Sequence, residues 1–249
     1  LNKLEKKGYA FTKLKLVNIH KQNHLIFAQL QFESEEQRRI NNITIKQQDS
    51  KNKFTIPKGY LKQISRKYNN KIYNQEIVGQ INTDFTKTTF ATPIKYPEIL
   101  FTKDSTKIFV YLAKKNSNTF DGFIGFNNNS SSKIAFNGYL DLKLENLLLS
   151  GERFSIYWKS DDNRQKTFKS SIEIPYLLNT PLALKTQIEI FKQDSTFQNT
   201  KTNIDLGLYI NYSNRFYIGF QSTASSDIQN INTNSLSDFK NSFYTANYE

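Results

Sequence analysis

Few side chains in this sequence have the type and spacing for covalent or metal chemistry. His20 and His24 are the only histidines, and they flank the polar stretch Lys21, Gln22, Asn23, where a turn would bring their rings together. Two imidazoles are half of a zinc set. The chain has no cysteine, and no nearby carboxylate completes the set, so the pair reads as the two sides of a surface hairpin. Asp161 and Asp162, followed by Asn163, have the composition of a solvated hairpin turn rather than of a working carboxylate pair. No G-x-S-x-G elbow, phosphate loop or dinucleotide fingerprint occurs. The expectation is therefore a protein that is not an enzyme, with no catalytic residue, no metal and no cofactor.

Composition narrows the class. A chain of 249 residues can bury a core, and with 37% hydrophobic and 14% aromatic residues it is too aromatic for a disordered polar tract. No apolar run approaches the ~20 residues of a membrane helix, so only β structure could span a bilayer. The sequence starts at Leu1 with neither a methionine nor a signal-peptide pattern, and is expected to be a processed or excised piece. Its charge is uneven. Residues 1–117 carry 22 Lys and Arg against 9 Asp and Glu, whereas residues 118–249 carry 12 against 13. A basic first half suits nucleic acid, anionic headgroups or acidic polypeptides, or simply a solvated lysine-rich surface.

That first half mixes helix and strand signals. Leu1–Lys7 before Gly8 resembles a helix end, and Phe11–Ile19 with Leu25–Phe32 forms a hairpin pattern. Ile40, Ile43 and Ile45 mark a strand. Pro57 then opens a helix with Tyr60, Leu61, Ile64 and Tyr68 on one face, and Asn74 caps a second one carrying Ile77, Val78, Ile81 and Phe85. Ile94–Phe101 and Lys107–Leu112 close a β-α-α-β-β unit. Residues 1–32 have the α-β-β order of an earlier copy of it.

After Ser117 the period is two. Phe136, Leu140, Leu142 and Leu144 alternate with Asn137, Asp141, Lys143 and Glu145, and the pattern recurs through Phe154–Trp158, Phe168–Ile174, Leu182–Ile190, Ile204–Ile210 and Phe216–Phe220. Turn residues separate these runs, as in an antiparallel meander with a possible last strand near Phe243. Alternation does not say which face is wet. A soluble barrel or sandwich turns the apolar face inward, and a membrane barrel turns it to lipid. The strand lengths match the ~9–11 residues that cross a bilayer at a tilt. Tyr157, Trp158, Tyr176, Tyr212 and Tyr217 near strand ends suggest interfacial girdles.

Several stretches in order carry a family likeness: Gly8-Tyr9, Ile99–Thr102 with Lys107–Leu112, Phe120–Phe126 (FDGFIGF), Leu144–Gly151 (LENLLLSG) and Ile174–Leu184 (IPYLLNTPLAL). Together they resemble the polypeptide-transport-associated (POTRA) domain and bacterial surface antigen barrel of BamA-like outer-membrane insertases and their relatives. The resemblance implies the C-terminal part of a POTRA-like unit at 1–35 and an α+β POTRA domain at 36–116. At 117–249 it implies the first strands of an all-β antiparallel transmembrane barrel, its N-terminal half. The later barrel half, with its Arg-Gly-Phe loop, has no counterpart here.

Function follows from that resemblance. It implies an outer-membrane location with the POTRA part in the periplasm, and insertion of unfolded client polypeptides by strand addition. The implied partners are outer-membrane or secreted polypeptides, accessory outer-membrane lipoproteins and the lipid bilayer. An exposed strand edge offers backbone N–H and C=O groups to an incoming strand. The candidate edges are Ile40, Ile43, Thr44 and Ile45 in the POTRA domain, and Asp121, Gly122, Phe123, Ile124, Gly125 and Phe126 in the first barrel strand. There Gly122 and Gly125 either weaken the seam or allow close packing. A two-partner secretion transporter exporting one dedicated client is the alternative within the family. A soluble basic nucleic-acid-binding module is the alternative of another class, disfavoured because Tyr60, Tyr68 and Phe85 fall on the buried helix faces rather than beside lysines.

Overall fold

The computed structural model describes residues 1–47, 54–128, 134–161, 165–193, 196–228 and 238–249. Two compact units emerge: Leu1–Lys53, Ile64–Lys87 and Ala91–Ala113 form one, and Phe54–Gln63, Thr88–Phe90 and Lys114–Glu249 the other.

In the first unit, a short helix α1 (Asn2–Glu5) precedes a hairpin of β1 (Lys13–Gln22) and β2 (Leu25–Glu33). The turn is Asn23-His24, one step later than the sequence pattern suggests, because a two-residue hairpin loop needs two left-handed residues and these take φ of 46° and 67°. Leu14, Leu16, Ile26, Leu30 and Phe32 are exposed.

The sheet of this unit runs in the order β3 (Ile40–Gln47), β6 (Thr106–Lys114), β4 (Ala91–Pro93), with β5 (Glu98–Phe101) also pairing β6. β3 and β6 are parallel. Of the single strand expected over Ile94–Phe101 only the second half forms, as β5, while β4 ends just before it at Pro93. Pro93 and Pro97 bracket the break, since proline offers no N–H to a ladder.

Helices α2 (Lys58–Tyr68) and α3 (Gln75–Thr86) lie between β3 and β4 in the chain. Asn74 caps α3 by accepting the Ile77 N–H at 2.8 Å, with Glu76 in the first turn where a negative charge is favoured. Val78, Ile81 and Phe85 of α3 join Ile40, Ile108, Val110 and Leu112 of the sheet as buried core. Tyr68 Oη and Lys67 Nζ both donate to Asp84 Oδ2 at 2.7 Å. Burial, then that carboxylate, pushes the Tyr68 phenol far above its ordinary range.

The second unit is an eight-stranded antiparallel meander: β7 (Thr119–Asn128), β8 (Ile134–Glu145), β9 (Arg153–Asp161), β10 (Gln165–Ile174), β11 (Leu182–Gln193), β12 (Phe197–Tyr209), β13 (Arg215–Asp227) and β14 (Phe239–Tyr248). Each strand pairs with its neighbours in sequence, and among the described residues β7 and β14 do not pair with each other.

Register shows how the apolar face is laid out. The row that begins Phe120, Leu142, Ile156 continues through Ser170 and Ile188 to end on Thr202, Ser222 and Ser242. The row Leu184, Leu206, Ile218, Ala246 starts only at Ile174 of β10. The greasy band thus runs diagonally, sliding by about one residue per strand. At ~3.4 Å per residue and ~4.8 Å between strands, that slide means strands inclined roughly 35° to the band normal.

This face is uncovered. Phe120 and Phe126 of β7 are 72% and 73% exposed, and Phe136, Ile204, Leu206, Phe216, Ile218 and Phe220 each lie between 42% and 55%. Full burial of one such side chain is worth about 1.5–3 kcal/mol, so leaving the whole set in water would offset much of the ~5–15 kcal/mol that folding yields.

Candidate functional site

Asp121, Gly122, Phe123, Ile124, Gly125 and Phe126 all lie on β7, at one edge of the eight-stranded sheet, with β8 its single partner among the described residues. Side chains alternate: Asp121 and Phe123 share the polar face, Ile124 and Phe126 the apolar one. Tyr139 Oη donates to Asp121 Oδ2 at 3.0 Å, and the Tyr139 ring meets Phe123 edge-on at 5.2 Å.

The glycines allow close approach rather than a gap. A Cβ on Gly122 would stand 2.5 Å from the Tyr139 carbonyl oxygen, and the ladder continues through both Gly122 and Gly125. Sequence reading overlooked Gly138, opposite Ile124. Its φ is +135°, and a Cβ there would fall 2.1 Å from the Phe123 carbonyl oxygen, so any other residue would be both strained and obstructed. Among the described residues, Gly138–Lys143 of β8 pair on both sides, Ile134–Asn137 pair with β7 alone, and Leu144 and Glu145 with β9 alone.

The second candidate edge is β3. Its single strand partner among the described residues is β6, but Ile40 is not an open position. The Ile40 N–H donates to the Lys71 carbonyl at 2.9 Å, its carbonyl accepts the Asn70 N–H at 2.8 Å, and its side chain is fully buried. Ile43, Thr44 and Ile45 are partly exposed and retain the edge character.

Opposite the apolar face, the large sheet carries a row of alternating charge across five strands: Glu145, Arg153, Glu173, Lys185, Asp205. Glu173 sits at its centre with its side chain 8% exposed. It accepts from the Tyr217 hydroxyl at 2.7 Å and from the Tyr209 hydroxyl, with Arg215 at 3.3 Å and Arg153 at 3.6 Å. Arg153 also reaches Glu145 at 3.5 Å, and Arg215 reaches Glu249 at 3.5 Å. A buried carboxylate is tolerable only with such company. Gly207 makes room: a Cβ there would lie 2.6 Å from the Tyr217 ring. Further along the same face, Asp141, Lys143, Lys169, Glu189 and Lys201 line an open cavity of about 310 Å³.

Tyr176, Tyr212 and Tyr217 do not form an interfacial girdle: they are 6%, 6% and 1% exposed. Tyr217 serves Glu173, and Tyr176 and Tyr212 pack with Tyr60 and Phe90 at ring separations of 5.4–6.1 Å. Position near a strand end does not distinguish a ring facing lipid from one folded under a turn. The Glu173 cluster was also missed, because its members are scattered from Glu145 to Glu249 and only strand register assembles them.

His20 stacks on Phe27 at 5.5 Å, and no group of His, Asp and Glu able to hold a metal is found among the described residues. Asp162 and Asn163 lie outside the described residues.

No protein-family model matches the chain, and no curated protein matches it by sequence. Solved structures do. CdiB from Acinetobacter baumannii and CdiB from Escherichia coli are each 12% identical, with TM-scores of 0.48 and 0.45, over 97% of this chain and 44% and 46% of theirs. BamA from Haemophilus ducreyi lacking POTRA domains 1–3 is 14% identical with a TM-score of 0.58, over 98% of this chain and 49% of that one. This chain therefore spans about half the length of the structures it resembles, and what it shares with BamA is the fold, dominated by antiparallel sheet.

Proposed function

We propose that this chain belongs to a BamA-like outer-membrane machine that inserts or translocates unfolded polypeptides. In this reading residues 117–249 are the first strands of a transmembrane barrel. Residues 36–116 are a periplasmic POTRA domain, and residues 1–35 the end of a preceding unit. The observation that carries it is the uncovered diagonal apolar band. Strands of a membrane barrel tilt by ~35–45°, so a band of constant height must slide across the register as this one does. The likeness in fold to BamA supports the same reading.

The unpaired side of β7 offers client strands a backbone template, Asp121–Phe126, and the stretch of β3 at Ile43, Thr44 and Ile45 offers another. Recognition through main-chain groups tolerates many client sequences. Lipid covers the apolar face, and the charged face lines an aqueous interior. Accessory lipoproteins are further partners of this reading.

Depletion of the parent protein followed by profiling of the outer membrane tests the function. Broad loss of barrel proteins is expected. Loss of one secreted protein with barrels intact would favour a dedicated secretion transporter, and extraction of the parent into detergent-free buffer as a monomer would end the membrane reading.

A further inference from the structure

Two turns at one end of the large sheet leave leucines exposed. Between β8 and β9, Leu147, Leu148 and Leu149 are 56%, 75% and 49% exposed, and between β10 and β11 Leu178 is 93% exposed. Neither turn is slack. Buried Glu152 accepts from the Leu148 N–H at 2.5 Å and from the Ser150 N–H and hydroxyl at 3.2 and 2.8 Å, while Asn146 Oδ1 accepts the Gly151 N–H at 2.8 Å. Thr180 Oγ1 donates to the Leu177 carbonyl at 2.7 Å, and Gln63 Nε2 to the Asn179 carbonyl at 3.1 Å. Leu149 and Leu178 hold φ of 59° and 52°, a left-handed geometry that leucine adopts at a cost. The turns abut, since a Cβ on Gly151 would lie 3.4 Å from the Pro175 ring.

We infer that these leucine turns are a bilayer anchor, seated in the headgroup and upper acyl region of the near leaflet. The inference rests on the barrel reading above. Continuity selects lipid as the occupant: the first turn joins Leu144 to Phe154 and the second joins Ile174 to Leu182, so each interrupts two strands at the edge of the apolar band. Charge points the same way. The segment Phe54–Gln63, whose Gln63 holds the second turn, carries exposed Lys58 and Lys62 and no acidic residue, which suits anionic headgroups. A water-facing turn would gain nothing from strained, exposed leucines. An interfacial one gains the transfer of each apolar side chain from water.

Fluorescence quenching in vesicles of phosphatidylethanolamine and phosphatidylglycerol tests this. Trp158, the single tryptophan, lies on the apolar face and reports the barrel wall in the unmodified chain. Reporters L148W and L178W are made separately in a W158F background, so that misfolding of one leaves the other. Shallow nitroxide lipids should remove more reporter emission than mid-acyl ones, with acrylamide having little effect. Quenching of both reporters by acrylamide alone would place the turns in water, and quenching by neither agent would place them against protein; either result overturns the anchor. If Trp158 is untouched by any lipid nitroxide, the barrel reading itself fails. If Trp158 is quenched and both reporters are not, only the anchor does.

Discussion

The two flanks of the large sheet are fastened by different means. Between β7 and β8 the polar face contributes, among the described residues, one hydrogen bond, Tyr139 to Asp121, and one ring contact, while the ladder itself runs through Gly122, Gly125 and Gly138. From β9 to β13 the same face is locked by a buried carboxylate with two tyrosines and two arginines. Backbone pairing is present on both flanks, so what differs is how much side-chain structure must be dismantled to separate neighbouring strands. On the function proposed above, a sheet that keeps its wall while lending an edge to a client needs that asymmetry.

Removing the lock should have the largest effect. Glu173→Leu would leave Arg153 and Arg215 without their buried anion and cost about 3–5 kcal/mol in unfolding of the reconstituted protein. Glu173→Gln keeps an acceptor for the tyrosines and should cost less. If both were silent, the contrast between flanks would be wrong. Next comes Gly207→Val, which pushes on the Tyr217 ring and should cost about 1–3 kcal/mol, read as faster amide exchange in β11–β13. Gly138→Ala should cost a similar or smaller amount, about 1–3 kcal/mol, but with exchange raised in β7 and β8 alone. Spread of that effect into β9–β13 would show the flanks to be one cooperative unit.

The smallest effect lies outside the large sheet, at an exposed ion pair. Lys95 and then the Tyr111 hydroxyl hold the Glu98 carboxyl below its ordinary range by hydrogen bonding. A depressed carboxylate contributes stability above its unfolded pKa and loses it as pH falls through the folded value. Carboxyl NMR should find Glu98 titrating low, and Lys95→Met should move its midpoint back up.

Much of this was legible in the sequence. The alternation after Ser117 gave six runs that fall on β8 to β13 and a possible last strand near Phe243 where β14 lies, while β7 entered through the resemblance at Phe120–Phe126; the period in Tyr60–Tyr68 and Ile77–Phe85 gave both helices, because each pattern is local. The break at Pro93 and Pro97 was legible but passed over. Pairings such as Glu145 with Arg153 or Glu173 with Lys185 were not legible, since single-strand periodicity fixes a face and says nothing about which neighbour stands opposite. Ile40 shows the same limit: its strand was expected, but its capture by Asn70 and Lys71 depends on a bend outside the strand.

At position 207 one strand has given up a side chain so that a phenol from the next can lie flat across it and reach its acid. The two positions should therefore vary as a pair. In diverged copies of this wall, growth at 207 should coincide with loss of the ring at 217, while the acid at 173 should persist wherever the arginines at 153 and 215 do.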